Sequence, residues 1–215
     1  MAAAPRLVVV LDFDGTVTEK DIGDEVCGRF ADPAWREIDA RWVRNELSLP
    51  EAQRLMWALV RCSRAEAVAH AQKVGRLRPG LDAFLDGVAA RGGATWLASG
   101  GFDFYIEALL DGRGAHFEAR FCNLARFVDG GIEVEFPHTD LGCARCAVCK
   151  GRVCDRAKAR ADRVIFVGDG ASDRCALGRC DALFCVRGSL LERLCQERGQ
   201  PYRAFDRFDE LLTLL

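Results

Sequence analysis

The stretch Leu7 to Thr18, LVVVLDFDGTVT, constrains the fold more than any other. Its apolar residues Leu7 to Leu11 run straight into Asp12-Phe13-Asp14-Gly15-Thr16. A short unbroken apolar run predicts a strand buried on both faces, as in a parallel sheet. Carboxylates at its carboxyl end sit where α/β sheets place their ligands. Side chains alternate along extended chain, so Asp12 and Asp14 are expected to point one way and Phe13 the other. Two close carboxylates repel and need a cation, a shared proton or water. Gly15 permits a tight turn, and by itself the Asp-Gly pair would be only a strand-end turn.

No strand signal interrupts the next fifty or so residues, roughly Asp21 to Lys73, which read as helices. Asp32-Pro33 predicts a helix start with Asp as N-cap. Ser48-Leu49-Pro50-Glu51 and Ser63-Arg64-Ala65-Glu66 have capping-box spacing. The chain therefore divides into a core of 1–18 and 77–215 and a helical domain of 19–76 inserted after the first strand. Beyond Pro79-Gly80, a helix from Leu81 ends at Gly92-Gly93, and Ala94 to Ala98 reads as the second strand. A helix is expected to start at Phe102, with Ser99 and Gly100 at its entrance. Phe117 to Asn123 reads as a strand, and Arg126 to Phe136, broken at Asp129-Gly130-Gly131, as a separate hairpin. A helix from Lys150, a buried strand at 164–167, two further strands and helices at 190–198 and 208–215 complete the chain.

Three apolar strands thus end in polar signatures: Asp12/Asp14, Ser99/Gly100 and Asp169/Asp173. In a parallel sheet those ends converge on one edge. Asp12, Asp14 and Asp169 supply hard oxygen ligands of the kind Mg²⁺ takes. Ser99 and the Gly100 N–H offer donors to a phosphate, and Lys150 offers a compact positive charge. A carboxylate can attack phosphorus, and the remaining task is to position and neutralise the phosphoryl group.

In these residues the chain resembles the haloacid dehalogenase (HAD) superfamily of phosphohydrolases. DFDGT at 12–16, SGG at 99–101, Lys150 and GDGASD at 168–173 follow the order of its four motifs. The resemblance implies a Rossmann-like parallel-sheet α/β core with a helical C1-type cap. It implies Asp12 as nucleophile and Asp14 as the group that protonates the leaving oxygen and then activates water. It places Mg²⁺ on Asp12, the Asp14 carbonyl and Asp169, and phosphate on Ser99, Gly100 and Lys150, with Thr16 and Asp173 supporting. Two families within subgroup IB compete. Gly100-Gly101-Phe102 and Gly168 to Ala171 resemble the phosphoserine phosphatases, for which Asp21 and Arg54 stand near the substrate-contacting cap positions. Phe30 to Trp35, Asp103-Phe104, Cys122-Asn123, Pro137-His138 and the cysteine-rich approach to Lys150 resemble the methionine-salvage phosphatases more closely.

The chain has 11 cysteines, an odd number scattered through an enzyme-sized sequence, which argues against a disulfide framework. Cys27, Cys62, Cys175, Cys180, Cys185 and Cys195 read as small buried hydrophobes. Cys143, Cys146 and Cys149 have zinc-like spacing that Cys154 or His138 would complete; packing or redox-labile thiols are the alternative. A metal-binding regulatory module built on the same core is the competing function class. The net charge of -2 leaves no basic footprint for nucleic acid. MAAAPR is too short for a signal peptide, and no stretch is long enough to span a membrane. The expectation is a cytoplasmic monomer or homodimer acting on a small phosphorylated metabolite.

Overall fold

The computed structural model describes residues 7–129 and 131–215. The leader MAAAPR and Gly130 of the expected hairpin turn lie outside the described residues. In chain order the strands are β1 (Leu7–Leu11), β2 (Ala94–Phe102), β3 (Phe117–Val128), β4 (Gly131–Glu135), β5 (Arg163–Gly168), β6 (Ala182–Val186) and β7 (Arg203–Phe205). The helices are α1 (Ile22–Phe30), α2 (Trp35–Val43), α3 (Leu49–Trp57), α4 (Arg64–Val74), α5 (Leu81–Ala90), α6 (Asp103–Leu110), α7 (Lys150–Lys158) and α8 (Leu190–Arg198).

The strands form one sheet in the order β4-β3-β2-β1-β5-β6-β7. All neighbours are parallel except the β3–β4 hairpin. Every residue of β1 is buried, and its side chains divide between two cores. Leu7, Val9 and Leu11 pack on one face with Phe84, Leu85 and Val88 of α5. Val8 and Val10 pack on the other with Val153 of α7 and Leu191 of α8. A strand with both faces covered has no polar side to present, which is why its sequence is continuously apolar. Leu11 lies opposite Leu97 of β2 and Val167 of β5, so the residues that follow these three positions emerge together at one sheet edge. β1 is also where the strand order reverses, the crevice in which open α/β sheets bind ligands.

Between Thr18 and Leu77 the chain is helical. It leaves and returns side by side: Thr18 bridges Leu77, and Arg78 N–H donates to Val17 O at 2.8 Å. Ser48 and Ser63 each form the reciprocal capping box with Glu51 and Glu66. α1, α3 and α4 share one apolar core with the sheet through Val26, Trp57 and Ala71. None of the described helices is long and apolar enough to cross a membrane.

Four local expectations change. α2 begins at Trp35, because Asp32 caps a preceding turn through the Ala34 N–H instead of the helix itself. β2 continues through Ser99-Gly100-Gly101, so α6 starts only at Asp103 and neither Ser99 nor Gly100 lies at a helix entrance. β3 runs unbroken to Val128 and forms the hairpin itself, with Asp103 holding the Ala125 N–H at the point where a break was expected. The last turn, Phe208–Leu214, is 3₁₀ instead of α.

Candidate active site

The carboxyl edge of the sheet opens into a cavity of about 560 Å³ whose wall includes Asp12, Asp14, Gly100, Lys150 and Asp169. Asp12 is the first residue beyond β1, Asp169 the first beyond β5, and Lys150 the first of α7. The structure therefore brings together residues separated by most of the chain length.

Lys150 is 1% exposed and points at two carboxylates: its Nζ lies 3.3 Å from Asp12 Oδ1 and 3.2 Å from Asp173 Oδ1. It also donates to Ser172 Oγ at 2.6 Å. Burial works against its charge, but Asp12 and Asp173 outweigh burial and raise its pKa. Asp173 is fully committed, since its other oxygen accepts from the N–H groups of Asp169 and Gly170 at 2.9 Å each. It braces the lysine and the loop after β5.

Asp14 occupies a different environment from Asp12. Its carboxylate accepts from Tyr105 Oη at 2.8 Å and from the Ile22 N–H at 3.0 Å. Burial, and then the nearby Asp21, push its pKa up to about 8. Asp12 is also raised, by burial and then by Asp173, with Lys150 acting in the opposite sense. Asp169 accepts from Thr16 Oγ1 at 2.7 Å and is raised to about 7 by burial and Asp173.

Carboxylate oxygens of Asp12, Asp169 and Asp173 lie within 4.8 Å of one another. One lysine cannot neutralise these three together with Asp14. An all-oxygen set with surplus negative charge suits a hard divalent cation. Because both oxygens of Asp173 are in use, Asp12 and Asp169 are the side chains left to hold it.

Backbone positioning completes the site. Gly15 has φ +76°, and a Cβ there would come within 2.4 Å of Asp169 Oδ2. Only glycine permits both the turn and the approach of Asp169. Arg78 fixes the same turn by donating to Gly15 O at 2.7 Å and Thr16 O at 2.8 Å. Gly100 O accepts from Gln53 Nε2 of α3 at 2.6 Å and Asn123 Nδ2 of β3 at 2.7 Å. Ser99 is fully buried; its Oγ accepts from Gly101 N–H at 2.9 Å and reaches Asp14 Oδ2 at 3.4 Å. Gly100, with Gly101, faces the cavity, whereas Ser99 lies behind it.

Of the two residues expected to contact substrate, Asp21 lines the cavity and caps α1 through the Asp24 N–H. Arg54 is elsewhere: its guanidinium lies 4.7 Å from the centroid of the Phe136 ring, away from the cavity wall. Cys143, Cys146 and Cys149 do converge, their sulfurs within 4.8 Å of each other. Neither expected fourth partner joins them. Cys154 is buried in the core beneath β1, and the His138 ring packs edge-on against Phe121 at 5.2 Å. Cys175, expected to be a core hydrophobe, instead lies 3.7 Å from Cys146 Sγ.

Sequence reasoning missed Tyr105, Gln53, Arg78 and Ser172. A tyrosine on an apolar helix face reads as core, and Gln53 and Arg78 act on main-chain carbonyls, which carry no residue signature.

A family model described as haloacid dehalogenase-like hydrolase matches residues 9–178. The bifunctional enzyme MtnB/MtnX of Bacillus licheniformis is 30% identical over 211 residues, taking in 97% of this chain and 49% of that protein. The chain thus spans about half the length of that relative. The 2-hydroxy-3-keto-5-methylthiopentenyl-1-phosphate phosphatase of Exiguobacterium sp. is 31% identical over 206 residues, with 94% of each chain covered. Among solved structures, a phospho-aspartyl intermediate analogue of phosphoserine phosphatase superposes with a TM-score of 0.73 at 18% identity, covering 97% of this chain and 98% of that one. The last likeness concerns the fold.

Proposed function

The chain belongs to the haloacid dehalogenase-like hydrolases, and on that premise we propose that it is a Mg²⁺-dependent phosphomonoesterase that works through an aspartyl-phosphate at Asp12. The observation that carries this reading is the buried Lys150 held between Asp12 and Asp173 at the cavity floor. An ammonium there opposes the burial that raises Asp12, and so favours and orients the ionised form that a carboxylate nucleophile requires. Asp14, with a pKa near 8, holds a proton at neutral pH. As Asp12 attacks phosphorus and the phosphorus–oxygen ester bond breaks, Asp14 gives that proton to the departing alcohol. The resulting Asp14 carboxylate then takes a proton from water, which attacks the aspartyl-phosphate and releases phosphate. Mg²⁺, held by Asp12 and Asp169, would neutralise the phosphoryl oxygens. The Gly100-Gly101 backbone is the positioning element for the phosphate, and residues 19–76 act as the cap that closes the cavity to water.

The cavity wall bears on the leaving group. Trp42, Leu49, Met56 and Trp57 give it an apolar side, and Asp21, Asp24 and Asp39 an acidic one. Among the described residues its cations other than Lys150 are engaged elsewhere: Lys20 with Glu25, Arg187 with Asp206, and Arg78 with the Gly15 turn. The carboxylate of phosphoserine would meet aspartates here and, among the described residues, no free guanidinium, whereas an uncharged methylthio chain suits the apolar side. We therefore favour the substrate named for the Exiguobacterium relative, or a metabolite phosphate of similar polarity, over phosphoserine.

The test is a panel of phosphorylated metabolites assayed with Mg²⁺, with phosphoserine included. Asp12→Asn is expected to lower turnover by about a thousandfold or more with the fold retained. An Asp12→Asn enzyme as fast as wild type would overturn the nucleophile assignment. Strong preference for phosphoserine, lost in Arg54→Ala, would reverse the substrate assignment.

A further inference from the structure

Four thiols gather at the amino-terminal end of α7, whose N-cap is Cys149. Cys143-x-x-Cys146-x-x-Cys149 ends at the residue before Lys150, and the sulfurs of these three lie within 4.8 Å of one another. Cys175 comes from the turn after Asp173, and its sulfur is 3.7 Å from Cys146 Sγ. We propose that Cys143, Cys146, Cys149 and Cys175 form a tetrahedral structural zinc site that ties the Lys150 segment to the Asp169–Asp173 segment.

The spacing of the sulfurs favours a single ion. In a Zn–S₄ tetrahedron with bonds of about 2.3 Å, sulfurs stand about 3.8 Å apart. The Cys146–Cys175 separation already matches that edge. A four-iron cluster, which the run of three evenly spaced cysteines would also suit, spreads its sulfurs much farther. A disulfide would join only one pair and leave two thiols beside it. Packing is a poor account of the group, because Cys143, Cys146 and Cys175 are only half-buried and belong to neither apolar core. The thiols that do serve as small hydrophobes, Cys27, Cys154, Cys185 and Cys195, are buried within those cores.

The surrounding chain needs such a tie. From Gly142 to Cys149 it forms no helix or strand, yet it ends at the residue that sets the start of α7 and so the position of Lys150. The facing segment approaches so closely that a Cβ on Gly151 would stand 2.0 Å from Cys175 O. A soft four-thiolate set selects zinc over Mg²⁺, so this site and the carboxylate cluster take different ions. Binding displaces the thiol protons into solvent and contributes directly to folding.

Metal analysis of the full chain, purified without added zinc and then treated with EDTA at neutral pH and desalted, tests this. About one tightly held zinc per chain is expected. Cobalt substitution should give the near-ultraviolet charge-transfer and red d–d bands of tetrahedral thiolate coordination. Iodoacetamide should spare these four cysteines until zinc is stripped. Cys175→Ser should bind zinc at least tenfold more weakly, and Cys62→Ser as wild type. If Cys175→Ser fails to fold, the wild-type zinc content and cobalt spectrum decide alone. Wild-type protein that retains no zinc after incubation with an equimolar amount, that carries iron instead, or that shows a Cys146–Cys175 disulfide without metal would overturn the proposal.

Discussion

Lys150 is buried to 1% exposure with carboxylates on two sides, and that environment sets what a substitution there does. Removing one partner from a buried ionic group leaves the others uncompensated, at a typical cost of about 3–5 kcal/mol. Lys150→Met should therefore destabilise the fold by about that amount and also abolish turnover, because Asp12 would lose the one charge that opposes its protonation by burial and Asp173. Urea unfolding and a steady-state assay on the same preparation check both. A variant that is inactive but as stable as wild type would show that the lysine contributes nothing to holding the two loops together. Asp12, Asp14, Asp169 and Asp173 were legible in the sequence because they gather at the ends of apolar strands, where charge is unexpected, and Lys150 because it stands at a helix start in the order of the family motifs. Tyr105 was not, since its ring is buried like any core aromatic and only its hydroxyl reaches Asp14. Cys175 was not, because Cys143, Cys146 and Cys149 lie 26 to 32 residues earlier and no local pattern links them.

α3 offers the corresponding case among elements. It begins at a capping box, presents Trp57 to the core, and sends Gln53 to the Gly100 carbonyl at 2.6 Å. Through this bond the helical segment holds the backbone loop to which the phosphate-positioning role is assigned. Gln53→Leu keeps the apolar stem and the helix but removes the donor. Asn123 Nδ2 remains on the same oxygen, so the loop is loosened and not released. A net neutral hydrogen bond contributes about 1 kcal/mol, so kcat/KM should fall about fivefold to tenfold with little change in melting temperature. Unchanged kcat/KM would mean that α3 does not position the loop. The helices here were legible from capping boxes and apolar stripes, and β1 and β5 from their apolar runs. The bounds of β2 and β3 were not. Glycines at 100 and 101 look like a strand end, yet extended backbone persists because Gly101 leaves room for Tyr105 Oη and Asp14, which a Cβ would meet at 1.9 and 2.4 Å. The continuation of β3 depends on Asp103, a contact from another element.

Taken over the whole molecule, the active-site carboxylates make stability depend on pH in an uncommon direction. Asp12, Asp14 and Asp169 are all raised by burial first, Asp14 to about 8 and Asp169 to about 7. In the unfolded chain the same groups titrate near 4. Between those limits the folded protein retains protons that the unfolded chain has released. Their contribution to stability is thus fully present below about pH 4 and is lost as pH rises through about 7 to 8. Carboxylates lowered by surface partners, such as Asp82 beside Arg113, act in the opposite sense but titrate below the usual carboxylate range. They leave the neutral window to the buried cluster and to Asp24, which burial and then Asp21 raise to about 7 in the same sense. A divalent cation competes with those protons and stabilises only the form in which the carboxylates are assembled. In a chelator of Mg²⁺ the melting temperature should fall by several degrees between about pH 5.5 and 8.5. A few millimolar Mg²⁺ should flatten that decline, with a larger upward shift at pH 8 than at pH 6. Asp169→Asn should show a shallower decline in chelator and a weaker response to Mg²⁺. Differential scanning calorimetry across the pH series reads all of these at once; a melting temperature in chelator that rises with pH would mean that the fold does not hold these carboxylates protonated, and a Mg²⁺ shift equal at both ends that the cluster does not hold the cation.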